Sequence, residues 1–119
     1  MEYVNYLFLA LIAFFLIQRF LPVKGVKQIT TSDLKNQLND KSKQYIDVRT
    51  PAEFRGNNIR GFKNIPLHQL AQKVNELSKE KEVVVICQSG MRSSKASKLL
   101  KKHGFKLVTN VKGGMSAWS

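Results

Sequence analysis

The sequence contains one cysteine, two histidines and only eight acidic residues, and it has no internal repeat or low-complexity segment. Because Cys87 stands alone, no internal disulfide can form and no Cys-x-x-Cys pair is available to bind a metal ion. His68 and His103 are isolated and lack partners at the spacing of a metal site. We therefore expect no metal site and no cofactor, and the lack of disulfides favours a reducing compartment.

Positive charge dominates what is present. Lysine and arginine number 20 against 8 acidic residues, giving a net charge of +12 over 119 residues. Such a charge attracts lipid head groups, small oxyanions, acidic proteins and nucleic acid alike. The sequence has no basic stripe interleaved with aromatic residues and no nucleic-acid-binding motif, so we expect no nucleic-acid partner. The length allows one domain with a modest core.

One long apolar run opens the chain, from Tyr3 to Leu21, and Pro22 ends it. As a helix rising about 1.5 Å per residue, this run would reach roughly across the hydrocarbon core of a bilayer. A secretory signal peptide is disfavoured, because the start carries Glu2 without a basic residue and no small-residue cleavage site follows. We predict a transmembrane helix over residues 1–22 that anchors the chain in a lipid bilayer; a buried or membrane-surface helix is the alternative.

The basic residues Arg19, Lys24 and Lys27 all lie at or after the end of the apolar run. By the positive-inside rule, the chain would cross the cell membrane once, with the folded part facing the cytoplasm. The predicted organisation is the anchor, a linker over residues 23–27, and a domain over residues 28–119.

Short strands alternate with helices in the rest of the chain, which predicts an α/β domain with a mainly parallel sheet. The predicted strands are one ending at Ile29, then Gln44–Val48, Asn64–Ile65, Val83–Ile86 and Leu107–Val108. Four helices are also predicted. The first follows an N-cap at Thr31 or Ser32, and the second starts near Pro51. The third carries apolar residues at Leu67, Leu70, Val74 and Leu77, and the fourth runs from Arg92 to a C-cap at Gly104.

Cys87 follows the apolar strand Val83–Ile86 and begins a loop that leads to the helix starting at Arg92. In parallel α/β sheets, ligands bind outside the carboxyl ends of the strands. Free N–H groups at the helix start, the helix dipole and the Arg92 guanidinium all stabilise a thiolate, and Gly90 lets the backbone approach closely. We predict that Cys87 is a nucleophile; the alternative is a buried, unreactive cysteine.

Four stretches, in order and at the family's spacing, resemble the rhodanese-like family. They are Asp47–Phe54, Gly56–Pro66, the loop beginning at Cys87, and Gly104–Phe105 with Gly113–Trp118. The resemblance covers about Gln28–Trp118 and implies a short, mainly parallel five-stranded sheet flanked by helices. Asn58 stands where the family usually has histidine, a loop variation that should leave the chemistry intact.

The resemblance implies a sulfurtransferase. Sulfane sulfur would pass from thiosulfate or another persulfide donor to cyanide, a thiol or a partner protein, through a persulfide on Cys87. The substrate-binding residues would be the rest of the loop: Gln88, Ser89, Gly90, Met91, Arg92 and Ser93. Backbone N–H groups of this loop would stabilise the persulfide anion, and Arg92 would hold the sulfonate oxygens of thiosulfate.

Two other functions remain open. Cysteine phosphatases use a Cys-x5-Arg loop, whereas the spacing from Cys87 to Arg92 is one residue shorter, and no general acid is evident. Asp47 and Glu53 are better explained as salt-bridge partners of Arg49. The second alternative is a non-turnover persulfide carrier or a partner-binding rhodanese module at the membrane.

Overall fold

The computed structural model describes residues 2–20 and 24–119, with an N-terminal helix followed by an α/β domain. The strands are β1 (Val26–Ile29), β2 (Gln44–Asp47), β3 (Lys63–Asn64), β4 (Val83–Ile86) and β5 (Val108–Val111). The helices are α1 (Glu2–Phe20), α2 (Thr31–Gln37), α3 (Pro51–Gly56), α4 (Leu67–Lys73) with a 3-10 turn over Val74–Glu76, α5 (Met91–Lys102) and α6 (Gly114–Ala117).

The five strands form one sheet in the order β1-β5-β4-β2-β3, and every neighbouring pair is parallel. The predicted sheet flanked by helices is therefore confirmed. The central strand β4 is buried on both faces, which explains its uninterrupted apolar sequence. Val83 and Val85 pack in the core beside α4 and α5, whereas Val84 and Ile86 pack in the core beside α2 and α6.

The last strand is longer than predicted, because it continues to Val111 instead of ending at Val108. Asparagine has a low propensity for strands, so the sequence around Asn110 does not predict one. In the fold, its side-chain amide donates a hydrogen bond of 2.8 Å to the Gln28 side chain. This non-local partner, on the neighbouring strand β1, lets the amide lie within the sheet.

Both α2 and α5 start earlier than predicted: the N-cap of α2 is Thr30 instead of Thr31 or Ser32, and α5 starts at Met91 instead of Arg92. Thr30 caps α2, because its hydroxyl accepts from the Asp33 N–H while the Asp33 carboxylate accepts from the Thr30 N–H. Gly90 precedes α5 with a φ of +115°, a conformation that favours glycine. The predicted start of α3 at Pro51 is confirmed.

Large apolar side chains are exposed along α1, and Phe8, Leu11 and Phe14 each expose more than half of their surface. Among the residues that the structure describes, no helix combines the length and apolar character needed to cross a membrane. The structure therefore does not support the predicted transmembrane helix. Residue 1 and residues 21–23, which belong to the predicted anchor and linker, lie outside the described residues.

Candidate active site

Cys87 lies directly after the central strand, and its sulfur is enclosed by the loop that follows. Only 1% of the residue is exposed. The Gly90 N–H donates to Sγ at 2.9 Å, and the thiol donates to the Ser93 hydroxyl at 3.3 Å. Ser93 in turn donates to the Gly90 carbonyl at 3.1 Å. The Gly90 N–H stabilises a negative charge on the sulfur, and the Ser93 hydroxyl can rotate to donate to the sulfur once the thiol has lost its proton.

Ser93, one of the predicted substrate-binding residues, is therefore a direct contact of the sulfur. We expect Ser93→Ala to lower kcat/KM for sulfur transfer by about tenfold, because one donor to the sulfur anion is lost. Ser97→Ala is the matched control. Ser97 lies one turn further along α5, and its hydroxyl is equally buried but donates to the Ser93 carbonyl instead of contacting the sulfur. Steady-state kinetics of both variants would test this, and an equal loss in both would contradict a specific role at the sulfur.

The first two carbonyls of the loop are held by the end of the chain. Met115 N–H donates to the Cys87 carbonyl at 2.8 Å, and Ser116 N–H donates to the Gln88 carbonyl at 2.9 Å. These bonds hold both carbonyls toward α6. Gly114 makes this approach possible, since a Cβ there would lie 2.2 Å from the Cys87 carbonyl oxygen. Sequence reasoning missed this contact, although a Gly-Gly pair is a signal of close backbone approach.

A buried ion pair supports the loop from the neighbouring strand. The Arg49 guanidinium binds the Asp47 carboxylate through two nitrogens, with Nη2–Oδ2 at 2.8 Å, and both side chains are almost fully buried. This part of the salt-bridge prediction is confirmed. Arg49 also donates to the Gln88 side chain at 3.3 Å, and Gln88 donates to Ser116 at 3.3 Å. The Gln88 side chain is thus engaged in holding the loop.

The sequence predicted that Glu53 pairs with Arg49. In the structure, Glu53 pairs instead with Arg92. Its two carboxylate oxygens accept from the two terminal nitrogens of Arg92, at 2.6 and 3.0 Å. The Arg92 bonds hold the pKa of Glu53 down at about 2, and hydrogen bonds from Thr50 add to this effect. The same pairing raises the pKa of Arg92, with a smaller contribution from the charge of Cys87.

This pairing has a pH signature. A carboxylate with an ordinary pKa of 4.5 and a folded pKa of about 2 stabilises the fold fully above pH 4.5, and loses that contribution as the pH falls toward 2. Both side chains are about a third exposed, so solvent screening should hold the effect below about 1 kcal/mol. The difference in free energy of unfolding between wild type and Glu53→Gln should be constant above about pH 5 and fall steadily as the pH is lowered toward 2. A difference that keeps its full size down to pH 2 would contradict this assignment.

Two of the predicted substrate-binding residues have no contact with the sulfur among the hydrogen bonds of the described residues. Ser89 and Met91 are exposed at the loop surface. Asn58, on the loop after α3, is exposed and donates to the Phe54 carbonyl at 2.8 Å, which fits a structural role for this position. In the part of the chain that the structure describes, no three His, Cys, Asp or Glu residues are grouped so that they could hold a metal ion.

The sulfur of Cys87, which accepts from the Gly90 N–H, lies where the central strand of a parallel sheet leads into a helix, and this arrangement defines an α/β protein with a buried cysteine at the carboxyl end of its sheet. Residues 30–119 match the family model of the rhodanese-like domain, and the chain belongs to this family.

Relatives and a solved structure agree with this assignment. The chain is 47% identical over 75 residues to an uncharacterized Bacillus subtilis protein, YqhL, with 63% of this chain and 60% of the relative covered. It is 42% identical over 94 residues to YtwF, a putative sulfurtransferase of the same organism, with 78% and 90% covered. A rhodanese-like domain protein from Staphylococcus aureus shares the fold with a TM-score of 0.73 and 37% identity, with 79% of this chain and 92% of that chain covered.

Proposed function

We propose that the protein is a sulfurtransferase that carries sulfane sulfur as a persulfide on Cys87, with thiosulfate or a persulfide as donor. The observation that carries this proposal is the sulfur itself, which accepts from the Gly90 N–H and contacts the Ser93 hydroxyl at the end of the central strand. Family membership and the likeness to a putative sulfurtransferase support the same conclusion.

The reaction has two steps. The Cys87 thiolate attacks the outer sulfur of the donor, so that an Sγ–S bond forms and the donor's own bond to that sulfur breaks. The electron pair leaves with the rest of the donor, as sulfite from thiosulfate or as a thiolate from a persulfide. Cyanide, a thiol or a protein thiolate then attacks the outer sulfur, and Cys87 leaves as a thiolate. The Gly90 N–H stabilises negative charge on sulfur in both steps.

Mass spectrometry of the full-length chain after incubation with thiosulfate, and separately with a persulfide donor, tests the proposal. We expect a gain of one sulfur, about 32 Da, which cyanide removes and which Cys87→Ser does not acquire. No adduct with either donor would overturn the sulfurtransferase proposal. An adduct that forms but is not released to cyanide or small thiols would favour the alternative, a persulfide carrier that serves one protein partner.

We also propose that residues 1–22 attach the chain to the cell membrane, with the domain on the cytoplasmic side. The exposed apolar side chains of α1, and the basic residues Lys24 and Lys27 beyond it, support this proposal. Fractionation of cells expressing the full chain, or a chain lacking residues 1–22, tests it. The full chain should sediment with the membrane fraction, whereas the chain lacking residues 1–22 should stay in the soluble fraction. Recovery of the full chain in the soluble fraction would contradict the proposal.

A further inference from the structure

The Glu53 carboxylate is an unusual neighbour for a site that receives anions, because it takes up both terminal nitrogens of Arg92. Arg92 belongs to the loop that encloses Cys87, and a free guanidinium there would bind the oxygens of a sulfonate as a planar fork. Glu53 is held in place by its own helix, since its carboxylate also accepts from the Thr50 N–H at 3.1 Å. The pairing is therefore built into the fold of α3.

We propose that Glu53 determines donor specificity: by occupying Arg92, it makes the site favour the persulfides of small alkyl thiols over the thiosulfate dianion. This inference rests on the proposed sulfurtransferase function and names its donor class. Glu53 acts through Arg92, so it is a specificity-determining residue that does not itself touch the transferred sulfur.

The charge balance beside the sulfur supports this proposal. The whole chain carries a net charge of +12, but the two guanidinium groups near Cys87 are each matched by a carboxylate. Arg92 pairs with Glu53, and Arg49 pairs with Asp47. These four side chains sum to zero charge. The basic surface thus attracts anions in general, whereas both of these guanidinium groups are already paired with a carboxylate.

Binding of thiosulfate through Arg92 would require the guanidinium to leave Glu53, or to share its nitrogens between the two. Either arrangement places a carboxylate close to a dianion, which costs free energy through repulsion and lost hydrogen bonds. An alkyl persulfide carries at most one negative charge and has no sulfonate to hold. The Cys87 thiolate attacks its outer sulfur, the new Sγ–S bond forms, the donor S–S bond breaks, and the alkyl thiolate leaves with the electron pair.

Steady-state kinetics of the full-length chain with thiosulfate and with 2-hydroxyethyl persulfide, a small alkyl persulfide that carries at most one negative charge, tests the proposal, with cyanide as the acceptor. In Glu53→Gln, the KM for thiosulfate should fall by about tenfold, while the KM for the persulfide should change less than about threefold. Glu53→Asp, which keeps the charge, should keep the wild-type preference. Glu80→Gln is the control, because Glu80 pairs with exposed Lys106 and precedes the central strand, whereas Cys87 follows it.

An unchanged ratio of the two KM values in Glu53→Gln, or an equal loss with both donors, would overturn the specificity role and leave Glu53 as a purely structural residue. The wild-type chain provides a second test that needs no variant. Its KM for thiosulfate should exceed its KM for the persulfide by about tenfold, and the reverse order would overturn the proposal. If neither donor forms a persulfide on Cys87, the failure lies with the proposed function itself.

Discussion

Gly114→Ala is expected to lower kcat/KM for sulfur transfer by about 100-fold or more, the scale of loss that follows when a catalytic group is displaced by about 1 Å. The new Cβ would lie 2.2 Å from the Cys87 carbonyl oxygen and 2.9 Å from the carbonyl carbons of Cys87 and Gln88. All three atoms belong to the backbone, so no side-chain rotation can relieve the overlap. The loop or α6 must move, and the N–H of Gly90 then loses its position on the sulfur.

Gly61→Ala is the matched control for this experiment. Gly61 also has a positive φ, +98°, but a Cβ there meets no atom within 4 Å. Both variants introduce backbone strain of about 1–3 kcal/mol, and only Gly114→Ala presses on the active-site loop. Kinetics at matched folded fractions, checked by circular dichroism, would separate the effects. Equal activity of the two variants would show that the close approach of α6 does not control the loop.

The contact between Gly114 and Cys87 also shows where sequence reasoning ends. The strand at Val83–Ile86 and the helix start at Pro51 follow from local patterns, since consecutive apolar residues and a proline at the first turn depend on few distant neighbours. The prediction that Cys87 is a nucleophile rests on the same local order of strand, loop and helix. The hydrogen bond from the Met115 N–H to the Cys87 carbonyl, by contrast, joins residues that are distant in sequence and meet only once the sheet has formed.

Pairing of charged residues is harder still to predict from sequence. Asp47 and Arg49 are two residues apart, and their ion pair was expected correctly. Glu53 is close to both in sequence, but the turn at Thr50 and the helix α3 direct its carboxylate to Arg92, 39 residues further on. Closeness in sequence therefore predicted the partner of Asp47 correctly and the partner of Glu53 wrongly, because the helix geometry decides which way a side chain points.

The second large effect should come from Arg49→Met, which we expect to lower the free energy of unfolding by about 3–5 kcal/mol. This substitution keeps much of the apolar stem but leaves the Asp47 carboxylate buried, with only the backbone N–H of residue 49 still bonded to it. The lost guanidinium also releases its bond to Gln88. Since small domains are stable by only about 5–15 kcal/mol, urea unfolding followed by circular dichroism should show a clear shift.

Two further variants show whether the cost comes from a buried charge. Lys63→Met removes one partner of an exposed pair, with Glu76 at 2.7 Å, and should cost less than about 1 kcal/mol. The double variant Asp47→Asn with Arg49→Met should be more stable than Arg49→Met alone, because no ionised group is left unpaired inside the protein. If the single and double variants were equally unstable, the loss of stability would instead come from the packing of the Arg49 stem and its hydrogen bond to Gln88. The ion pair would then contribute to the fold mainly by filling space beneath the active-site loop.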